Sequence, residues 1–291
     1  MKTILAVNTA VCAGLVILFS PIAQGQNLFV SDFVSANIYE FTPNGGRSTF
    51  ASGLGFPTGL AFDNAGNLFE ADYSGNIYEF THNGGSSTFA SGPIDAFGVA
   101  FNSAGNLFEA DPYNGNIYEF TPGGMRSTFA SGLVGAVGLA FNSAGNLFVS
   151  EESTGYIYEF TPNGGSSTFA SGLNGPWGLA FNSAGNLFAT SGSSILNFTP
   201  NGGSSTFASG VNSPLGLAFN STGNLFTTSG SSILEFTPNG SSNTFASGLY
   251  DPMFLAFQGV TLPVPEPSTW VMVGMGIGVF LSGLRSRRRS L

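Results

Sequence analysis

Apolar and polar positions alternate along this chain in short runs, and the runs recur. Asn27-Leu-Phe-Val-Ser-Asp32 sets Leu28 and Val30 against Phe29 and Ser31. Asn37-Ile-Tyr-Glu-Phe41 sets Ile38 and Glu40 against Tyr39 and Phe41. Period-two patterning rich in aromatic and β-branched residues predicts strands. The runs are separated by turn residues, such as Pro43-Asn-Gly-Gly46 and Asn102-Ser-Ala-Gly105. These supply the positive φ angles of tight hairpins. No helix is predicted between Asn27 and Gly259, because Gly and Pro recur too often and no apolar stripe has a 3.6 period.

The runs form a repeat written six times. Its words are N-L-F, I-Y-E-F or I-L-x-F, S-T-F-A-S or N-T-F-A-S, and G-L-A-F. N-L-F begins at Asn27, Asn67, Asn106, Asn146, Asn186 and Asn224, with spacings of 40, 39, 40, 40 and 38. Four short strands per period of this length predict an all-β propeller. No copy carries a Trp-Asp dipeptide, which argues against the WD-repeat class. The series opens on N-L-F and closes on the G-L-A-F-like Phe254-Leu-Ala-Phe257. The first blade therefore lacks its innermost strand, and the last segment is spare. Placing the spare strand in the gap gives six blades of four strands and protects the sheet edges. The Gly- and Ala-rich word, Gly59-Leu-Ala-Phe62, is assigned to the crowded axis.

The segment Pro57-Thr-Gly-Leu-Ala-Phe-Asp-Asn-Ala-Gly-Asn-Leu-Phe-Glu-Ala-Asp72 resembles the repeat of NHL-type propellers and of the related gluconolactonase-like propellers. The resemblance covers residues 27–259. It implies the architecture and little about activity, because propellers host many functions.

The ends of the chain read differently. Residues 1–25 have Lys2, a mostly apolar stretch from Ile4 to Ile22, and small residues at Ala23 and Gly25. They are read as a secretory signal cleaved before Gln26. The only cysteine, Cys12, lies inside it, so disulfides and thiol chemistry are excluded from the mature domain at 26–259. Residues 260–268 form a linker with Pro265-Glu266-Pro267. An apolar segment at 269–284 and a basic tail at 285–291 with Arg285, Arg287, Arg288 and Arg289 follow. Part by part this is similar to the PEP-CTERM sorting signal. That resemblance implies handling by an exosortase after export through the Sec translocon, in bacteria that make exopolysaccharide. The segment at 269–284 is slightly short for a transmembrane helix. Trp270 at one interface and the arginines inside fit that reading.

Charge narrows the partners. Charged residues make up 8% of the chain, against about 25% in ordinary domains. Arg47 and Arg126 are the only Lys or Arg between residues 26 and 259, and nearly all the acidic residues lie there. Phosphate backbones are repelled, so nucleic acid is excluded as a partner.

The copies differ in two kinds of connection, after the second strand and between blades, and both fall on one face of a propeller. Variation on one face of a rigid scaffold marks a binding face, although drift under weak constraint gives the same pattern. Residues just before the innermost strands are expected to ring the central mouth: Thr58, Phe97, Val137, Trp177, Leu215 and Met253. Tyr73, Tyr113 and Tyr250 stand around them with Asp32, Asp95, Glu151 and Asp251. Aromatic surface mixed with carboxylates suits a polysaccharide or a protein partner.

Enzyme chemistry is the competing reading. The gluconolactonase resemblance implies a divalent ion at the mouth, held by Glu, Asn and Asp, with an Asn or Asp directly before the G-L-A strand. Thr58, Phe97, Val137, Trp177, Leu215 and Met253 supply neither. No cofactor is expected, with calcium the one possibility left open, between Glu70 and Asp72 and between Glu109 and Asp111. Turn capping by Asp72 and Asp111 competes with it. His82 reads as a solvated turn residue, and Glu40, Glu79, Glu119, Glu159 and Glu235 as a solvated stripe. The chain is therefore read as an exported, non-catalytic surface or matrix propeller. A calcium-dependent lactonase or lyase and a purely structural matrix protein are the alternatives.

Overall fold

The computed structural model describes residues 25–82, 85–92 and 95–259. Twenty-four strands form six antiparallel sheets of four, and the described residues contain no helix. The signal at 1–25, apart from Gly25, and the linker, apolar segment and basic tail from residue 260 onward lie outside the described residues. No described helix is long and apolar enough to cross a membrane.

Each blade runs outward in chain order, except the first. There the innermost strand is Pro252–Phe257, paired with Leu28–Asp32, then Asn37–Phe41, then Arg47–Ser52. Leu28 faces Phe257, and Val30 faces Leu255. The closing strand thus sits where the count of words placed it. Gln26 reinforces the seam: its Nε2 donates to the Gln258 carbonyl at 3.0 Å, and its Oε1 accepts from the Ser221 N–H at 2.7 Å.

The core lies between blades. The second strands are buried on both faces, as in Leu28–Asp32. The N-L-F phenylalanine of each blade meets two other rings edge to face. Phe148 lies 5.0 Å from both Phe169 and Phe181, and Phe188 repeats the arrangement with Phe207 and Phe219. Edge-to-face geometry suits the ring quadrupole. Each outermost strand carries a register shift opposite the I-Y pair, as between Ile38 and Tyr39. A bulge there breaks an otherwise open edge.

The axis explains the glycine of the innermost word. A Cβ on Gly138 would lie 1.9 Å from the Trp177 carbonyl oxygen, and one on Gly178 would lie 2.2 Å from that of Leu215. Neighbouring blades approach backbone to backbone, so only glycine fits.

Candidate functional site on the variable loop face

Two connections per blade meet on this face and bond to each other. The Tyr73 N–H donates to the Phe56 carbonyl, Phe33 N–H to that of Asp251, and Glu152 N–H to that of Gly135. The last residue of the second strand ties them together. Asp32 accepts from the N–H groups of Ser35, Tyr250 and Asp251. Asp72 accepts from the Gly55 N–H and from the N–H and hydroxyl of Ser74. Asp111 takes the N–H and amide of Asn114. Ser191 and Ser229 do the same work in the shortened loops, accepting from Asn174 N–H and Asn212 N–H.

These contacts bear on the calcium sites. Both oxygens of Asp72 and of Asp111 are spent on turn donors. Glu70 and Glu109 are completely buried, and none of their four carboxylate oxygens has a hydrogen-bond partner. Burial, and then the Asp72 charge, push Glu70 well above the ordinary carboxylate range, and the nearby Thr58 backbone only partly opposes the shift. Glu109 is raised by burial and by Asp111, against Arg126. Each is wedged between blades, where burial favours its neutral form. No group of three or more potential metal ligands occurs among the described residues.

The expected ring divides in two. Thr58, Val137 and Met253 are buried. The Thr58 hydroxyl lies 2.7 Å from the Ala71 carbonyl and 2.8 Å from that of Ala96, so it stitches blades together and does not face a ligand. Phe97, Trp177 and Leu215 are half-buried. Phe97 and Trp177 belong to blades three and five, yet their rings meet edge to face at 5.7 Å. They span the mouth above the smaller Val137 of blade four.

That contact ends a continuous aromatic track. Phe97 touches Tyr73 at 5.8 Å, Tyr73 touches Phe33 at 5.9 Å, and Phe33 touches Phe56 at 4.9 Å. The sequence patterning missed Phe33 and Phe56. Their only signal is a large apolar residue inside a turn segment, where Gly, Ser and Asn are usual. Of the exposed large apolar side chains among the described residues, Val34, Phe56, Tyr73, Tyr113, Val134 and Tyr250 lie on this face, and Met125 alone lies on the other. Tyr113 and Tyr250 are 77% and 74% exposed, so two of the predicted tyrosines are available to a partner. The Asp95 carboxylate, and then partial burial, hold the Tyr73 phenol above its ordinary range. Asp251 is raised by burial and by Asp32.

The five third-strand glutamates are not simply a solvated stripe. Glu40, Glu119, Glu159 and Glu235 each accept from the N-L-F asparagine of their own blade at 2.7 Å, and Glu79 does so at 3.0 Å. The N-L-F and I-Y-E-F words are thus clasped by an Asn–Glu pair.

Fold and site together define a six-bladed β-propeller with an aromatic, acidic loop face. Comparison with known proteins adds the second half of its description. Residues 263–289 match the family model described as the PEP-CTERM protein-sorting motif. The chain therefore carries a signal for exosortase-sorted export and membrane-anchored sorting. The predicted sorting residues Pro265, Glu266, Pro267, Arg285, Arg287, Arg288 and Arg289 all fall within the match. No curated protein matches the sequence. Among solved structures, the chain is similar to a chain in the crystal structure of a nidogen/laminin complex. The TM-score is 0.74 at 19% identity, covering 80% of this chain and 98% of that one. It is similar to a streptogramin B lyase, with a TM-score of 0.64 at 14% identity, covering 80% and 86%. A gluconolactonase from Xanthomonas campestris gives a TM-score of 0.65 at 14% identity, covering 79% and 87%. At these identities the likeness is one of fold.

Proposed function

We propose that this chain is an exported, non-catalytic propeller that binds a polysaccharide at the cell surface through its variable loop face. The observation that carries the reading is the track Phe56–Phe33–Tyr73–Phe97–Trp177, which joins blades one, two, three and five across the mouth on the one face where the repeats differ. Rings braced against one another lose little conformational freedom on binding, and partly buried aromatics dominate binding energy. The sorting motif supports delivery through the envelope.

The similarity to a lactonase and a lyase keeps an enzyme as the second reading. Two observations weigh against it. The mouth positions Thr58, Phe97, Val137, Trp177, Leu215 and Met253 offer no carboxylate or amide. One similar lyase structure is of a catalytically inactive variant with histidine changed to alanine; here the single histidine, His82, sits in a hairpin on the opposite face. The test is a glycan array probed with the full chain in detergent, with and without a chelator, beside a lactone-hydrolysis assay. Glycan binding that ignores the chelator and falls in Trp177→Ala supports the proposal. Chelator-sensitive lactone hydrolysis replaces it with the enzyme.

A further inference from the structure

The loop face carries carboxylates and rings, and its described connections contain no basic residue; Arg47 reaches its outer rim from the neighbouring blade, where it donates to the Gly248 carbonyl at 2.9 Å. Asp95, Glu152 and Asp251 stand on it. Arg47 and Arg126 begin outermost strands, each lying over a tyrosine of its own blade, Tyr39 at 5.1 Å and Tyr118 at 4.8 Å. His82 sits in a hairpin of the opposite face.

The geometry points to an amino-sugar polymer with free amines as the ligand of this face. The inference rests on the polysaccharide reading above and narrows it by charge. An anionic polymer is repelled by the carboxylates, and a neutral one gains hydrogen bonds to its hydroxyls from them but no charge attraction. An ammonium-bearing sugar gains from the carboxylates and from the ring faces of Tyr73, Tyr113 and Trp177 together. The shape favours a sugar over a basic peptide. The rings are held edge to face as plates, and polar loop residues such as Ser74, next to Tyr73 in the chain, share the face with them. Plates stack on the C–H faces of pyranose rings, while the polar groups meet their hydroxyls. A peptide partner would instead seek a packed pocket for an anchoring side chain. Asp95 stands beside the Tyr73 phenol, which places a charge next to the middle plate of the track.

Calorimetric titration of the full chain in detergent tests this with a glucosamine oligomer, its N-acetylated counterpart and poly-lysine as probes. The glucosamine oligomer should bind at least about tenfold tighter than the acetylated one, and added salt should close that gap. Asp95→Asn should narrow the preference. Tyr113→Ala, at an exposed position that leaves folding intact, should weaken binding of both sugars. Equal binding of the two oligomers overturns the amino-sugar inference and leaves the polysaccharide reading standing. Binding of neither overturns both. Tight binding of poly-lysine that survives Tyr113→Ala shows plain charge capture and also overturns the inference.

Discussion

The two faces of this propeller carry matching sets of connections built under different constraints. On the hairpin face the same bonds recur. Asn102, Asn142, Asn182 and Asn220, with Asp63 in their place once, accept from the N–H groups two and four residues on. Thr42, Thr81, Thr121, Thr161 and Thr199 each accept from the N–H four residues on. These turns are closed by their own side chains, which helps hold each hairpin in register. On the loop face one bond is kept and its chemistry is free: Asp32, Asp72, Asp111, Ser191 and Ser229 all tie the second strand's end to a loop. Everything beyond that tie can vary, and there the rings and further carboxylates accumulate. Self-contained turns set the frame, and loops that need one bond each are left for recognition.

The largest effect should come from breaking the frame itself. Deleting Pro252–Phe257 removes the innermost strand of the first blade, bares the inner edge of Leu28–Asp32 and strips Leu255 and Phe257 from their packing with Phe226. Cooperative thermal unfolding should disappear. A truncated chain that melts as sharply as the full one would mean that the ring does not depend on its closure.

Next in size is a single methyl group at the axis. Gly138→Ala drives a Cβ into the Trp177 carbonyl and within 2.7 Å of the Ser150 hydroxyl. Overpacking against backbone should cost about 3 kcal/mol. Gly164→Ala in a hairpin meets nothing within 4 Å but sits at φ +80°, so it should cost about 1–2 kcal/mol from left-handed strain alone. Chemical denaturation separates the two. Equal losses would show that blade approach at the axis is looser than the backbone contacts require.

A pH series probes the seams between the first three blades. Glu70 and Glu109 have their folded values raised above the ordinary 4.5. Below that value both folded and unfolded chains hold the proton, and nothing is lost. As pH rises above it the unfolded chain releases a proton that the fold must keep, so stability falls by up to about 1.4 kcal/mol per pH unit per site until the folded value is passed. Val30 and Val149 stand at the same position in other blades, so Glu70→Val and Glu109→Val should raise the melting temperature at pH 8 and flatten its decline from pH 5. An unchanged slope in the double variant would show that both carboxyls already reach solvent.

The architecture was legible in the sequence because it is local and repeated. Each word is a strand, each turn closes itself, and the surplus G-L-A-F strand can go in only one place. The site was legible only in outline. Trp177 and Phe97 were expected around one ring, but their contact joins residues eighty positions apart and depends on the small Val137 between them. Thr58 shared their position in the repeat, yet its hydroxyl turns to two carbonyls inside the wall. Glu70 and Glu109 were paired with Asp72 and Asp111 as possible calcium ligands, because alternation sets each pair on one side of its strand. Here blades cover both sides of the second strand, and alternation no longer marks a solvent side. The Asn–Glu clasps needed the strand register before they could be seen.

The smallest effect sharpens the comparison among copies. The fifth blade alone has asparagine at the clasp, with Asn197 opposite Phe188 where Glu40 lies opposite Phe29. Its Oδ1 is buried without a partner. The shorter side chain does not reach Asn186 as the glutamates reach Asn27, Asn106, Asn146 and Asn224. Asn197→Glu restores the longer acceptor and removes an orphaned oxygen, so it should stabilise the propeller by about 1 kcal/mol. The reverse change, Glu159→Asn in the fourth blade, should lose a similar amount by breaking the bond to Asn146. Thermal melts of both variants at neutral pH decide the matter, since the gain requires an ionised carboxylate and should fade when the glutamate is protonated. If both substitutions lower stability, the asparagine of the fifth blade is fitted to its own surroundings and the clasp is not a transferable part of the repeat.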